Sequence, residues 1–261
     1  MDGAPRYVWY GDDFTGASDT LATVAGAGLR ACLFLAPPTP AQRERVGALD
    51  ALGIAGTARS LTPGLQREEL APVAAFFETL QPAVTHYKCC STYDSAPAIG
   101  NLRQGLQALR RAAHTGPAMV LGGQPSLGRY CAFGELYATA GHDAEVHRID
   151  RHPTMSRHPV TPMHEADLRR HLGTQGLAPM ALVDLRLLDA GDAAGIDRVV
   201  ETHAADGGQA VLFDATRGEH LLQIGQSWWR RADRQPLLVL GASSVAQALI
   251  AAWPHAFPPA P

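Results

Sequence analysis

The sequence predicts an α/β fold: a mostly parallel sheet flanked by helices on both faces. Eight short apolar runs recur along the 261 residues, and helix-like patterns lie between most of them. Continuously apolar strands are typical of sheets buried on both faces, and intervening helices favour parallel connections. The runs predicted to be strands span residues 7–10, 30–35, 49–54, 85–90, 118–121, 181–185, 210–214 and 237–240.

Two stretches between these strands have patterns of their own. Residues 99–109 place Leu102 and Leu106 at the spacing of one helix face, which predicts a helix there. Residues 129–149 alternate more and contain a turn at Gly141, which predicts a small hairpin insertion. We expect residues 1–253 to form one domain, followed by a Pro-rich tail at 254–261 that cannot continue a helix.

Composition narrows the function classes. A net charge of −3 gives no global basic field for nucleic acid, and no apolar run approaches the length of a membrane span. The first residues lack the basic-then-apolar pattern of a signal peptide, so we expect a cytoplasmic protein. The four cysteines include no C-x-x-C pair, which predicts no metal site, and we expect all four to be buried, reduced thiols.

The first predicted strand ends in an acidic turn. Asp12 and Asp13 follow the apolar run directly, and residues 15–24 then read as a helix. Open α/β folds bind ligands at such strand ends, and a carboxylate positioned there can act as a general base. We therefore predict Asp12 and Asp13 as catalytic residues. The alternative is that Asp13 or Thr15 merely caps the helix.

A second polar segment follows the fourth predicted strand. It begins with Lys88, the single lysine in a chain whose other long basic side chains are all arginine. Because a compact ammonium fits a tight anion site that a guanidinium does not, we predict that Lys88 binds substrate. The alternative is an ordinary surface lysine on a strand. The short polar side chains after Lys88 are predicted to bind substrate hydroxyls: Ser91, Thr92, Asp94 and Ser95.

Residues 147–171 form a basic segment in a protein of net negative charge. Arg157 and His158 lie in a loop bounded by prolines, and we predict that both bind the substrate, since arginine can hold a carboxylate or phosphate in bidentate fashion. Thr161 is predicted to cap a helix that begins at the next residue. Residues 169–171 are interpreted as a solvated basic face. Nucleic acid is disfavoured because no aromatic side chains accompany the charge.

Five ordered motifs resemble the four-carbon acid sugar kinase family, formerly a domain of unknown function. They lie at residues 11–19, 87–95, 128–130, 155–163 and 238–245 and span nearly the whole chain. The resemblance implies that relatives phosphorylate four-carbon sugar acids such as threonate, erythronate or their 3-oxo forms, using ATP and Mg²⁺. It also implies a cofactor-binding role for Ser243 and Ser244.

The same resemblance implies two domains, an N-terminal one for the acid and a C-terminal one for the nucleotide. No glycine-rich phosphate loop of the Walker type occurs in the 261 residues, so we expect this chain to be the acid-binding half. ATP and Mg²⁺ would then act through the other domain, and the chain alone should bind acid better than it transfers phosphate. The assembly state is left open, with a homodimer among the alternatives.

If the chain is the acid-binding half of such a kinase, its charged side chains have two tasks: to accept a proton and to bind the acid. Asp12 or Asp13 accepts the proton of the terminal hydroxyl as its oxygen attacks the γ-phosphate. Arg157, His158 and Lys88 bind the carboxylate end, or one of them binds the incoming phosphoryl group. A phosphatase with an aspartyl nucleophile is disfavoured, because its two carboxylates are separated by one residue and these are adjacent. A non-catalytic acid-binding or regulatory module remains the alternative.

Overall fold

The computed structural model describes residues 4–141 and 145–253. Its strands are β1 (Tyr7–Gly11), β2 (Ala31–Phe34), β3 (Ala51–Ala55), β4 (Val84–Lys88), β5 (Ala118–Leu121), β6 (Arg129–Ala132), β7 (Glu135–Thr139), β8 (Val146–Arg148), β9 (Met180–Val183), β10 (Ala210–Phe213) and β11 (Leu237–Gly241). Eight of them form one sheet in the order β2-β3-β1-β4-β11-β5-β10-β9, and all neighbours pair in parallel. The eight predicted strands and the α/β class are confirmed.

Helices cover both faces of this sheet. They are α1 (Phe14–Gly26), α2 (Pro40–Val46), α3 (Pro63–Leu80), α4 (Leu102–Ala108), α5 (Leu168–Thr174), α6 (Leu185–Asp189), α7 (Ala193–Ala205), α8 (Gly218–Ala232) and α9 (Ser244–Ala251). Buried side chains of α3, α4 and α5 share one core with the small sheet, whereas those of α1, α7, α8 and α9 form the core of the opposite face. The helix predicted within 99–109 is confirmed as α4.

β1 is buried on both faces. Val8 and Tyr10 belong to one core, and Tyr7 and Trp9 belong to the other, because successive side chains of a strand point in opposite directions. The Trp9 ring lies over Gly53 of β3, where an added Cβ would come within 2.2 Å of a ring atom. This packing on both sides fixes the strand end at which the acidic turn begins.

The predicted hairpin insertion is a three-stranded antiparallel sheet in the order β6-β7-β8. β7 and β8 pair on either side of Gly141, as predicted, and residues 142–144 lie outside the described part of the chain. The sequence did not predict the first hairpin, in which β6 and β7 join at Phe133 and Gly134. Asp214 holds that turn by accepting hydrogen bonds from both backbone N–H groups, at 2.6 and 2.9 Å.

The helix predicted to follow Thr161 is wrong. The backbone N and Oγ1 of Thr161 lie 3.0 and 3.1 Å from Nδ1 of His158, so Thr161 closes a local turn, and residues 162–166 after it form no helix. Helix α5 instead begins at Leu168, where the Asp167 carboxylate accepts a hydrogen bond from the backbone N of Arg169. Threonine and aspartate are both good N-caps, and here it is Asp167 whose carboxylate meets a backbone N–H of the first helical turn.

The cysteines agree with expectation in part. All four are free thiols, but only Cys89 and Cys131 are buried, whereas Cys32 and Cys90 are partly exposed because they lie nearer the surface. Across residues 4–141 and 145–253, no helix has the length and apolar character needed to cross a bilayer. The predicted tail at 254–261 lies outside the described residues.

The order of the strands changes direction between β1 and β4. From β1 the chain proceeds through β2 and β3 on one side of the sheet, and β4 then begins the other side. α1, which follows β1, packs into one core, and α4, which follows β4, packs into the opposite core. Such divergence opens a crevice beyond the carboxyl ends of the two strands, which is where open α/β sheets bind ligands.

Candidate functional site

The acidic turn lies at this crevice and is held from both sides. The backbone N of Asp12 donates to the carbonyl of Lys88 at 3.0 Å, and the backbone N of Arg59 donates to the carbonyl of Asp12 at 3.2 Å. The turn is therefore tied to the end of β4 and to the segment that follows β3. Two segments predicted from the sequence, 12–13 and 88–95, meet at one edge of the sheet.

Arg59 is a site residue that sequence reasoning missed. Its Nη2 lies 3.0 Å from Oδ1 of Asp12 and 2.5 Å from Oδ2 of Asp13. Arg59 belongs to a short 3-10 turn, Ala58–Ser60, soon after β3. Because β3 ends at the same edge as β1, the strand-end rule that identified the acidic turn could also have identified this arginine.

Asp12 is 2% exposed, and burial raises the pKa of its carboxyl to about 6. The positive charges of Arg59 and Lys88 oppose the rise, and the neighbouring Asp13 adds to it. A carboxyl with a pKa near 6 is still mostly ionised at neutral pH and is a stronger proton acceptor than a solvated one. These are the properties of a general base.

Asp13 has a different local role. Its carboxylate accepts a hydrogen bond from the backbone N of Gly16 and caps α1, so the capping alternative is correct for this residue. Its side chain is 28% exposed, compared with 2% for the side chain of Asp12. The two adjacent carboxylates therefore divide into a half-buried cap and a buried acceptor.

Lys88 is buried at the end of β4, so the surface-lysine alternative is wrong. Its Nζ donates to the carbonyl of Cys89 at 2.8 Å. The ammonium lies against the first turn of α1, where a Cβ added to Gly16 would be 2.1 Å from Nζ. The charge of Lys88 and the positive end of the α1 dipole lie at the same place, and both favour the binding of an anion. Asp12, Asp13, Arg59 and Lys88 are called the carboxylate cluster below.

The loop after β4 is held together by its own side chains. Oγ1 of Thr92 donates to Oδ1 of Asp94 at 2.5 Å, and both residues are buried, while Ser91 is half-buried. Oγ of Ser95 donates to the carbonyl of Tyr93 at 2.8 Å. The loop follows Lys88 directly, and the charge of Asp94 interacts with that of Arg59, which places Asp94 near the carboxylate cluster, while Thr92 and Ser95 are engaged in shaping the loop.

His171 supports this loop from α5. Its Nε2 lies 2.9 Å from Oγ of Ser95, and Nε2 of Gln175 donates to the same oxygen at 2.7 Å. The interpretation of residues 169–171 as a solvated face is correct for Arg170, whose side chain is 77% exposed, but wrong for His171, which is buried. Burial lowers the pKa of His171, which keeps it neutral at pH 7.

Ser243 and Ser244 lie at the start of α9, after β11, and both are fully buried. Oγ of Ser243 is 3.0 Å from Oγ1 of Thr20, and Oγ of Ser244 donates to the carbonyl of Gly123 at 2.7 Å. Both hydroxyls thus have partners within the protein. Their predicted role toward a cofactor stays a prediction.

The loop of residues 155–161, called the basic loop below, is built differently. Arg157 is exposed, and His158 is half-buried with its Nδ1 bound by Thr161. Within the described residues, no hydrogen bond or ion pair joins the basic loop to the carboxylate cluster. The loop is anchored to the protein through Met155, which packs against the core shared with α3, α4 and α5.

The donor set does not suit a resident divalent cation. In the described part of the chain, no group of three histidine, cysteine, aspartate or glutamate side chains has metal-binding geometry. One arginine nitrogen already binds both carboxylates of the cluster. Mg²⁺ ordinarily binds through one or two carboxylates together with substrate phosphates, so any ion here would have to come with a nucleotide.

A family model described as the sugar-binding N-terminal domain matches residues 7–249. The chain belongs to this family. The match covers the carboxylate cluster, the basic loop and all eight strands of the main sheet. It confirms the resemblance to the N-terminal domain of the four-carbon acid sugar kinases.

Curated relatives of this family carry kinase names. The chain is 36% identical over 246 residues to a 3-oxo-isoapionate kinase of Paraburkholderia graminis, covering 94% of this chain and 51% of that protein. It is 29% identical over 216 residues to a 3-oxo-tetronate kinase of Methylobacterium radiotolerans, covering 83% and 48%. The chain therefore spans about half the length of the curated relatives that it matches.

Solved structures share the fold. A Haemophilus influenzae protein of the DUF1537 family has a TM-score of 0.81 at 23% identity, covering 96% of this chain and 57% of that one. A DUF1537 domain from Bordetella bronchiseptica has a TM-score of 0.74 at 19% identity, covering 97% and 57%. The Bordetella protein was solved as a domain-swapped dimer with bound citrate.

Proposed function

We propose that this domain binds a sugar acid of the four-carbon or 3-oxo class and presents its terminal hydroxyl for ATP-dependent phosphorylation. The observation that carries the proposal is a buried carboxylate, Asp12, held between two cations at the ligand-binding edge of the sheet. An acid substrate requires positive charge, and activation of its hydroxyl requires a proton acceptor. The names of the curated relatives support the same substrate class and the same reaction.

In this proposal Lys88 and Arg59 bind negative charge on the substrate. The Lys88 ammonium is buried beside the N-terminus of α1, so a carboxylate or phosphoryl oxygen there would gain from both charges. Ser91, Thr92 and Asp94 bind substrate hydroxyls from the loop next to them. Arg157 and His158 provide a second, outer contact, because an exposed loop can approach the substrate from the solvent side.

Asp12 accepts the proton of the attacking hydroxyl. Its burial excludes competing water, and its pKa of about 6 matches a base that works near neutral pH. ATP with Mg²⁺ supplies the phosphoryl group, and the nucleotide is expected to be bound by protein outside the residues described here. Most of the catalytic contribution of this domain is then positioning and electrostatics.

The test uses a protein in which this domain is joined to a nucleotide-binding domain, so that turnover can be measured. Asp12→Asn preserves size and hydrogen bonding but cannot accept a proton at neutral pH, so turnover should fall about 10²- to 10⁴-fold while acid affinity largely remains. Asp13→Asn is the matched control and should affect turnover less, because Asp13 caps the helix. If both variants keep wild-type turnover, the acidic turn is structural and Asp94 becomes the next candidate base.

A further inference from the structure

Arg59 neutralises the proposed base in the unliganded protein. A single nitrogen, Nη2, contacts Oδ1 of Asp12 and Oδ2 of Asp13, so the carboxylate that should accept a proton is occupied by a cation. The Nε of the same guanidinium is buried and has no hydrogen-bond partner among the described residues. A buried donor without an acceptor is costly, and it indicates that this guanidinium has capacity for another anion.

The main chain of Arg59 is fixed, whereas its side chain is partly exposed to solvent. The backbone N is bound to the carbonyl of Asp12, and the carbonyl oxygen lies against Gly100, where an added Cβ would be only 2.4 Å away. The side chain is 28% exposed, compared with 2% for that of Asp12. The guanidinium is therefore the part of this contact that can change partners.

We propose that the carboxylate of the substrate takes the Arg59 guanidinium from Asp12, so that binding of the acid itself unmasks the base. This inference rests on the proposed function and assigns Arg59 as the substrate-sensing residue of that site. A carboxylate can bind a guanidinium through two parallel hydrogen bonds, which the present contact through Nη2 alone does not use. A neutral polyol cannot make this exchange, so only an acid would free Asp12 for proton transfer.

The exchange changes the charges that face Asp12. In the unliganded protein these are Arg59 and Lys88, which are positive, and Asp13, which is negative; Tyr10, Tyr87 and Cys89 also face it as neutral groups. Once Arg59 is shared with a ligand carboxylate, Asp12 loses part of the positive charge that favours its ionised form. Its affinity for protons then rises, so at slightly acidic pH part of the population takes up a proton onto Asp12, whereas at higher pH Asp12 stays ionised and is free to accept the hydroxyl proton.

Proton uptake can be measured on this chain without any kinase activity. Threonate, erythronate and 3-oxo-tetronate are titrated into the protein by calorimetry at about pH 6.5, in two buffers of different ionisation enthalpy. We expect uptake of about 0.2 to 0.6 proton per bound acid, falling to near zero at about pH 8.5, where Asp12 stays ionised in both states. Asp12→Asn should abolish the uptake, and Asp19→Asn, on the exposed surface of α1, should preserve it.

Arg59→Gln provides an independent variant if Asp12→Asn does not fold. It removes the exchanged cation, so acid affinity should fall about tenfold or more and the remaining binding should proceed without proton uptake. Acid binding with no proton uptake, or with uptake that survives Asp12→Asn, would overturn the exchange and leave the proposed function intact. Failure of every acid to bind would overturn both.

Discussion

The carboxylate cluster and the basic loop are both charged regions, but the fold fixes them by different means. In the cluster, Asp12 and Lys88 are buried at strand ends, and their charges face one another. In the basic loop, Arg157 is exposed and the hydrogen bonds of His158 stay within the loop. The cluster is thus held by the sheet, whereas the loop depends on contacts of its own.

This difference determines how much each region can contribute to the affinity for an acid ligand. Charged side chains that are already held in place before binding lose little conformational freedom when the ligand binds. An exposed arginine must be immobilised at that moment, and solvent weakens its attraction. We therefore expect the cluster to provide most of the affinity for acid and the basic loop to provide a smaller contribution.

The largest expected effect concerns the pH dependence of stability at Asp12. Burial raises the pKa of Asp12 in the folded protein to about 6 from a usual 3.8. Between these values the folded state binds more protons than the unfolded state, so this group's contribution to stability is lost as pH rises through the window. The loss amounts to roughly 3 kcal/mol, and Asp12→Asn should remove it.

The measurement is urea unfolding of both proteins from about pH 4 to about pH 7, with the difference in unfolding free energy plotted against pH. Asp19→Asn, which makes the same chemical change at an exposed position of α1, should reproduce the wild-type slope. If the wild-type and Asp12→Asn curves are parallel, Asp12 is not desolvated as described, and the contrast between the two regions fails.

Removing the lysine cation of the cluster should weaken acid binding strongly. Lys88→Met keeps the aliphatic length of the side chain but deletes the buried ammonium, so affinity for the acid should fall about 10- to 100-fold by calorimetry. Arg170→Met removes one positive charge from a side chain that is 77% exposed and should change affinity less than twofold. Similar losses for both variants would mean that net charge, rather than the cluster, attracts the ligand.

Because the space around the Lys88 ammonium is narrow, we predict that adding one methyl group at Gly16 weakens acid binding. In Gly16→Ala, the new Cβ would displace Nζ and crowd the Asp13 carboxylate, which lies 2.8 Å away. Acid affinity should fall about tenfold, with an unfolding free energy within about 1 kcal/mol of wild type, because better helix propensity offsets a weaker cap. Gly26→Ala, at the open end of the same helix, meets no atom within 4 Å and should leave binding unchanged.

The smallest effect is expected in the basic loop. Arg157→Lys keeps the charge and loses the bidentate geometry, so it should reduce acid affinity by about two- to fivefold. Arg170→Lys serves as the control for the same exchange at an exposed position. If Arg157→Lys costs as much as Lys88→Met, the basic loop belongs to the centre of the site and the ranking of the two regions is wrong.

Sequence reasoning could find the strands and the acidic turn because their signals are local. A strand packed on both faces, such as β1, must be apolar throughout, and polar residues directly after it stand out. Lys88 was recognisable for a similar reason, as the one lysine of the chain. Each of these inferences needs only the nature of neighbouring residues.

The segment that contains Arg59 could have been recognised as the end of another strand, but its pairing with Asp12 could not be predicted, because that pairing depends on strand order. Arg59 contacts Asp12 across 47 residues of sequence, and only the placement of β3 beside β1 brings them together. The mistakes at Thr161 and His171 have a related cause. Several residues of the segment can cap a helix, and tertiary packing decides which face of α5 is buried: Leu168, His171 and Leu172 share that face.

The most direct test of the acid site uses the single lysine as a probe. Labelling the chain with lysine carrying ¹³C at Cε yields one side-chain resonance, that of Lys88, which is followed by NMR during titration with threonate, erythronate or 3-oxo-tetronate. We predict a saturable shift for at least one of these acids, with the same Kd as calorimetry, and no shift for the neutral polyols threitol and erythritol. Acid binding that leaves the Lys88 resonance unmoved, or an equal shift with the polyols, would contradict the assignment of this edge of the sheet as the acid site.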